Sequence, residues 1–180
     1  MLFRSLMLGS NHAVAFNHLQ HHAHVGEADD HEGACGRMPL WKVLVFGPVF
    51  PLQMHAFAWA KGTPALRRKM AVDLTLNAVM VGAALASGWA FLLWHVALMV
   101  VAQCLTALFA VWITHHDCED ELFMARTQRS PVLNFLTYNM FLHLEHHLFP
   151  GVPVKRLGLL ARRIEQALPG YGAAAPRVLG

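Results

Sequence analysis

A long apolar run at residues 70–113 constrains this chain more than any other feature. It contains no lysine or arginine, and its only formally charged residue is Asp73, close to its start. The whole chain is 56% hydrophobic and 14% charged, whereas an ordinary globular domain is roughly 45–50% apolar and about 25% charged. This composition argues against a soluble nucleic-acid-binding protein, a small secreted protein or a disordered chain, and it favours a membrane protein.

The apolar run is long enough for two membrane spans, because one spanning helix needs about 20 apolar residues. The sequence Ser-Gly-Trp at residues 87–89 is its most turn-like point. We therefore predict one span near residues 72–87 and a second near residues 91–113, which together form a tight transmembrane hairpin over residues 72–113.

Basic residues lie on both outer sides of the predicted hairpin, and none lies between its spans. They are Arg67, Arg68 and Lys69 before the first span, and Arg126, Arg129, Lys155, Arg156, Arg162 and Arg163 after the second. Under the positive-inside rule, both ends of the hairpin are predicted to be cytoplasmic. The formal net charge of +3 at pH 7 suits a protein that faces anionic lipid on one side.

Residues 41–60 are apolar too, but Pro48, Pro51 and His55 interrupt them. As a third span, this segment would place the residues before and after it on opposite sides of the membrane. As an interfacial or re-entrant helix, it would leave both on one side. We favour the interfacial helix, because the two prolines and the histidine disfavour a regular span.

Two segments of this histidine-rich chain share the pattern HxxHH. The first contains His18, His21 and His22, and the second contains His143, His146 and His147. Residues three and four apart on a helix share a face, so each segment predicts a cluster of three imidazoles. Such a cluster packs poorly in a core, since every ring brings polar nitrogens that need partners. Neutral imidazole is, however, the commonest metal ligand, so the pair of triplets predicts a metal site.

A third group, His115 and His116, stands at the end of the predicted second span. Adjacent residues on a helix diverge, so we expect only one of these two imidazoles to reach a metal. If residues 41–60 lie in the interface, all three groups are on one side of the membrane and are able to converge. The candidate metal ligands are therefore His18, His21, His22, His115, His116, His143, His146 and His147.

The type of donor favours iron over zinc. Structural zinc sites are usually four-coordinate and often use cysteine, whereas the cysteines of this chain are odd in number, far apart and form no pair. The Glu-x-x-His pattern of carboxylate di-iron bundles is not met, because Leu148 stands three residues after Glu145. A set of histidines alone suits two iron ions that carry out oxygen chemistry.

These motifs resemble those of the membrane fatty acid desaturase superfamily, which includes acyl desaturases and related carotenoid ketolases and hydroxylases. HLQHHAHVG, beginning at His18, is similar to the second His box of the family, and HLEHHLFPGVP, beginning at His143, is similar to the third. His115 or His116 resembles the extra histidine ligand that precedes the third box. The resemblance covers residues 11–168.

The resemblance implies a single desaturase-like domain over residues 1–180. We predict an all-α membrane protein with a transmembrane hairpin, an interfacial helix and a cytosolic helical cap that carries the His boxes. It is expected to be a di-iron oxidoreductase that uses O₂ to desaturate a fatty acyl chain or lipid. Its electrons would come from an external ferredoxin or cytochrome b5 system.

Two alternatives stay open. A hydroxylase or a carotenoid-ketolase-type oxygenase would use the same boxes, because substrate placement decides the outcome. The other alternative is an inactive fragment, since the family has a first box, HxxxH, and two upstream spans that this chain lacks. His12 precedes His18 with the wrong spacing for that box. We expect an N-terminally truncated member that holds iron poorly.

Several polar residues are candidate outer partners of the ligands, because a ligating histidine usually donates its other nitrogen to a carboxylate or carbonyl. They are Asp117, Asp120 and Glu145, with Asn139 as a group that would polarise a bound water. Residues 154–168 predict a basic amphipathic helix, either on the membrane surface or packed on the domain. Residues 170–180 are expected to be frayed.

Overall fold

The computed structural model describes residues 7–27, 29–118 and 122–178, and these residues form helices with isolated bridges and no β-strand. The predicted all-α fold is thereby confirmed. The helices are α1 (Asn11–Ala23), α2 (Leu40–Phe46), α3 (Phe50–Lys61), α4 (Pro64–Ser87), α5 (Ala90–Cys104), α6 (Ile113–His115), α7 (Pro131–Leu136), α8 (His143–Leu148), α9 (Leu157–Ala167) and α10 (Tyr171–Ala174). Short 3₁₀ turns at Gly33–Arg37 and Val154–Arg156 and a π-helical segment at Ala107–Trp112 complete them.

The chain forms two compact units. Unit 1 combines Met1–Ala23 with Trp41–Leu108, and unit 2 combines His24–Leu40 with Phe109–Gly180. Unit 1 therefore holds α1, α3, α4 and α5, and unit 2 holds the helices from α6 onward. Each unit carries one HxxHH segment.

Helix α4 is long and apolar enough to cross a membrane. Its start is set by Thr63, whose hydroxyl accepts from the Leu66 amide, with Pro64 in the first turn. Its end is set by Gly88, which has a φ of 65° and closes the helix in the left-handed conformation that glycine adopts without strain. The predicted first span thus begins earlier than expected and ends where the sequence predicts.

Helix α5 by itself is too short to count as a span, and the predicted second span is broken. Only when α5 is joined across a bend to Ala107–His115 does the pair have spanning length and composition. The Thr106 hydroxyl bonds back to the Ala102 carbonyl at this point, a contact that bends helices. Large apolar side chains on α4 and α5 are exposed, among them Val79, Leu85, Phe91 and Leu98, as expected for surfaces that contact lipid.

Helices α2 and α3 meet at a break where the chain bends by 67°. Pro48 lies in this break and Pro51 lies in the first turn of α3, so the prolines interrupt residues 41–60 as expected. The pair has the composition of a broken span or a re-entrant loop. Its interfacial placement stays a prediction.

A buried carboxylate ties the start of α1 to α4 in unit 1. Asp73 is 3% exposed and accepts hydrogen bonds from the Ser10 hydroxyl and from His12 Nδ1, each at 2.8 Å. On the same face of α4, the Asn77 amide donates to the Gly9 carbonyl at 2.8 Å. These bonds fix where α1 begins, and Ala13 of α1 then packs against α3 and α4.

Unit 2 is built around two small apolar clusters. One contains Ala125, Leu144 and Ala175, and the other joins Leu142 to Leu157 and Ala161 of α9. The amphipathic helix predicted over residues 154–168 is therefore present as a 3₁₀ turn followed by α9, with its apolar face packed on unit 2.

The expectation that residues 170–180 are frayed is wrong for residues 170–178, the part that the structure describes. Helix α10 forms, Ala175 and Val178 are buried, and backbone bonds join Thr127 to Pro176 and Val178. The sequence gives little sign of this because small residues in a tail acquire a partner only through tertiary packing.

Replacing Asp73 with alanine should destabilise unit 1, because Ser10 and His12 would lose their shared acceptor. We expect the free energy of unfolding to fall by about 3 kcal/mol, the scale for buried polar groups left unpaired. Denaturation of the detergent-purified chain measures it. Thr75→Ala, an exposed position on the same helix, should change stability by less than about 0.5 kcal/mol. Equal effects of the two substitutions would contradict the assigned role of Asp73.

Candidate metal centre

The first HxxHH segment lies on α1, as predicted from its spacing. His18 Nε2 and His22 Nε2 are 3.1 Å apart, and the ring centroids of His18 and His21 are 6.0 Å apart. His21 is buried. One turn of helix thus brings three imidazoles of unit 1 onto one face.

The second HxxHH segment is α8 itself, and His115 joins it in unit 2. His143 Nε2 is 3.0 Å from His115 Nε2 and 3.2 Å from His147 Nε2. The ring of His146 lies further out, with its centroid 5.6 Å from that of His143. Both His143 and His147 are 7% exposed. Three ring nitrogens from two distant segments therefore lie close together, two of them on buried residues and one on the half-buried His115.

The tautomer of His115 favours a cation at this cluster. Its Nδ1 lies 2.9 Å from the Met124 carbonyl, and a carbonyl only accepts, so Nδ1 carries the proton. The neutral ring then directs its Nε2 lone pair at the other two imidazoles. Because imidazole nitrogens bind first-row metals at about 2.0–2.1 Å, nitrogen separations near 3 Å match ligands that share one ion. The donor set fits a bound metal ion.

His116 points away from this cluster. It stacks on Trp112 with a centroid distance of 4.4 Å, and its Nδ1 donates to the Gly36 carbonyl at 2.9 Å. Gly36 approaches so closely that a Cβ there would lie 3.0 Å from the His115 Cβ. The pair diverges as expected for neighbours on a helix, and His115 is the member that meets other histidines.

Glu145, a candidate outer partner, is completely buried inside α8. Its carboxylate accepts from the Thr127 hydroxyl at 2.7 Å and from the Arg129 guanidinium. Thr127 is itself fixed by its backbone bonds to Pro176 and Val178. Through its bonds to Thr127 and Arg129, Glu145 therefore holds the turn that carries His143, His146 and His147.

The remaining candidate partners lie elsewhere. Asp117 is exposed, and its Oδ2 lies 3.4 Å from His116 Nε2. Its backbone has a φ of 55°. The Asn139 amide donates to the Val154 carbonyl at 3.3 Å, and α8 begins only at His143. Asp120 lies outside the described residues.

Two of the three cysteines have a raised pKa. Burial raises the pKa of Cys35 to about 12 and, against the opposing effect of Arg126, also raises the pKa of Cys118. Both side chains are therefore thiols at neutral pH in the absence of a metal.

Thr127, Arg129 and Met124 take part in the arrangement but were not recognised from the sequence. Thr127 and Arg129 lie 18 and 16 residues before Glu145, so helical spacing says nothing about their contact. A buried glutamate between histidines is the one available signal, because such a charge requires a cationic partner.

A sequence model of the fatty acid desaturase family matches residues 2–176. The chain belongs to this family. The match runs across both units and both HxxHH segments, and it confirms the resemblance that the His boxes indicate. With α4 as a candidate span, this fatty acid desaturase family member is a membrane protein.

One curated relative of this desaturase family member is the beta-carotene ketolase of Paracoccus sp. (strain N81106 / MBIC 01143). The two are 28% identical over 146 residues, which cover 78% of this chain and 54% of the ketolase. The chain thus spans about half the length of this relative. No solved structure matches the chain.

Alanine substitution of each of the two adjacent histidines in turn distinguishes the metal ligand from its neighbour in the sequence. His115→Ala should weaken iron binding by more than about 10–100-fold, the loss typical of outer partners. His116→Ala should retain iron, since its ring contacts Trp112 and Gly36. Iron per chain after metal loading and gel filtration measures both. Equal loss in both variants, or loss in His116→Ala alone, would reverse the assignment.

Removal of the Glu145 carboxylate should destabilise unit 2. Glu145→Ala leaves the Arg129 guanidinium without its buried partner, and such a loss costs about 3–5 kcal/mol. Glu145→Gln should cost less, because its amide oxygen still accepts from Thr127. Denaturation curves for both variants, with the exposed Gln166→Ala as control, test this. If Glu145→Ala is as stable as the control, the buried pair does not hold α8.

Proposed function

We propose that this chain is an O₂-dependent membrane oxidoreductase that holds two iron ions and desaturates a fatty acyl chain. The observation that carries the proposal is the meeting of His115, His143 and His147 through their Nε2 atoms at 3.0 and 3.2 Å. The His cluster on α1 and membership of the fatty acid desaturase family support it.

The proposed iron ligands are three imidazoles of unit 1 and four imidazoles of unit 2. The proposed ligands are His18, His21, His22, His115, His143, His146 and His147. When bound, iron in such a site activates O₂ for attack on an unactivated C–H bond. Removal of two hydrogens from the acyl chain, together with two electrons and two protons, reduces one O₂ to two water molecules.

The protein's own contribution is to orient the ligands and to exclude water. The Met124 carbonyl fixes the ring of His115, and Glu145 with Thr127 and Arg129 fixes α8. Leu144, between the histidines of this helix, is completely buried. Ligands held in fixed orientations suit a reaction that depends on their geometry.

The electrons are proposed to come from an external donor of the ferredoxin or cytochrome b5 type, since the reaction consumes two and the substrate supplies its hydrogens. The histidines are proposed to face the cytoplasm. The cluster Arg67, Arg68 and Lys69 in the first turns of α4 supports this side, because basic residues favour the cytoplasmic end of a span.

A carotenoid-type oxygenase is the second candidate, and the beta-carotene ketolase relative favours it. Both reactions start at a C–H bond of a membrane-dissolved hydrocarbon chain. They differ in the product: desaturation removes hydrogen only, whereas ketolase or hydroxylase chemistry adds oxygen from O₂.

Product analysis in living cells separates the two candidates. The chain is expressed with a ferredoxin system in bacteria that make β-carotene, under isotopically labelled O₂, and lipids are examined by mass spectrometry. We expect acyl chains with a new double bond and no label. If the cells instead contain isotopically labelled keto or hydroxy carotenoid, the chain is a carotenoid-type oxygenase and not a desaturase.

The variant His143→Ala serves as the inactive control, because it lacks the ring that contacts both His115 and His147. Its lipids should match those of cells without the protein. Unchanged lipids with the iron-loaded wild-type chain would contradict both reactions, and equal product from His143→Ala would contradict the assigned site.

A further inference from the structure

Unit 2 contains a large cavity that the proposed reaction does not use. It has a volume of about 1010 Å³ and lies among α7, α9 and α10, at the upper end of the range for small-molecule sites. Within the described residues, no histidine lines it. The proposed metal ligands therefore do not form its walls.

One wall of the cavity is apolar and open to the outside. It is formed by Pro131, Phe135 and Leu136 of α7, by Leu142 and by Ala161. Phe135 is 81% exposed and Leu136 is 70% exposed. Tyr138, which also lines the cavity, is 86% exposed. Adjacent large apolar side chains exposed to this degree indicate an interaction surface, and in a membrane protein hydrocarbon chains suit it.

The cavity also has cationic side chains in its lining. Lys155, Arg162 and Arg177 line it, together with Arg129, which is bound to the buried Glu145. The acidic residue in the lining, Glu165, accepts hydrogen bonds from the Gly170 and Gly172 amides at 2.7 and 2.9 Å. Three cationic side chains thus stand against one carboxylate in the lining, and that carboxylate already accepts two backbone hydrogen bonds. The cavity therefore has an excess of positive charge.

We infer that this cavity binds an anionic phospholipid of the surrounding bilayer. The phosphate lies against Lys155, Arg162 and Arg177, since guanidinium groups form strong charge-assisted bonds to phosphate oxygens. An acyl chain lies along Phe135 and Leu136. An uncharged head group offers these cations no charge-assisted bond, which favours an anionic lipid over it. This inference goes beyond the proposed function and does not depend on iron.

The bound lipid would hold unit 2 at the membrane surface. The exposed apolar side chains of α7 and the basic side chains of α9 are then at the depth of the acyl chains and the head groups, respectively. The packing of α9 on unit 2 through Leu157 and Ala161 is compatible with this, because Arg162 remains exposed.

The test uses the full chain in a neutral detergent and native mass spectrometry with two added lipids that share acyl chains, phosphatidylglycerol and phosphatidylcholine. We expect phosphatidylglycerol to be retained at least about tenfold better, because the positive choline of phosphatidylcholine is repelled by the cations that bind the phosphate. Arg162→Gln and Lys155→Gln should each reduce its retention. Arg163→Gln is the matched control, since Arg163 is the next residue but does not line the cavity.

A second arm tests the apolar wall. Phe135→Ser should weaken phosphatidylglycerol binding, and glycerol phosphate without acyl chains should bind far more weakly than the lipid. Equal retention of both lipids, equal loss in Arg163→Gln, or full affinity for glycerol phosphate would each overturn the inference. A cooperative thermal unfolding transition shows that each variant is folded. An iron content equal to that of the wild-type chain shows that loss of lipid binding does not come from damage to the metal centre.

Discussion

In each unit, one buried carboxylate fixes the position of the helix with the HxxHH segment. Asp73 is 3% exposed and binds Ser10 and His12 at the start of α1, and Glu145 is completely buried and binds Thr127 and Arg129 beside α8. A buried charge without partners costs several kcal/mol. The positions of both histidine helices therefore depend on these polar contacts as well as on the apolar packing of Ala13 and Leu144.

The same reasoning applies to the imidazoles. His115, His143 and His147 place three Nε2 atoms within about 3 Å of each neighbour in unit 2. Three imidazoles in this arrangement have the donor type and the spacing that one bound metal ion uses.

The exposed apolar surface of the chain is explained by contact with membrane lipid in place of water. Exposed leucine, valine and phenylalanine side chains on α4 and α5 are ordinary where lipid replaces water, and α4 has the length of a span. The exposed side chains of α7 extend this logic to unit 2, where they border a cationic cavity. Charge and hydrocarbon side by side are what an anionic lipid requires.

The sequence by itself determined the local features. The HxxHH spacing predicts three imidazoles on one helical face, residues 70–113 predict the long apolar helix α4, and the His boxes indicate the family, because all of these depend on neighbours within a few turns. Only the tertiary structure decided that His115 and not His116 meets α8, and that the tail packs on Thr127. It also joined Asp73 to Ser10 across 63 residues. Such contacts arise when distant helices pack, and no local periodicity records them.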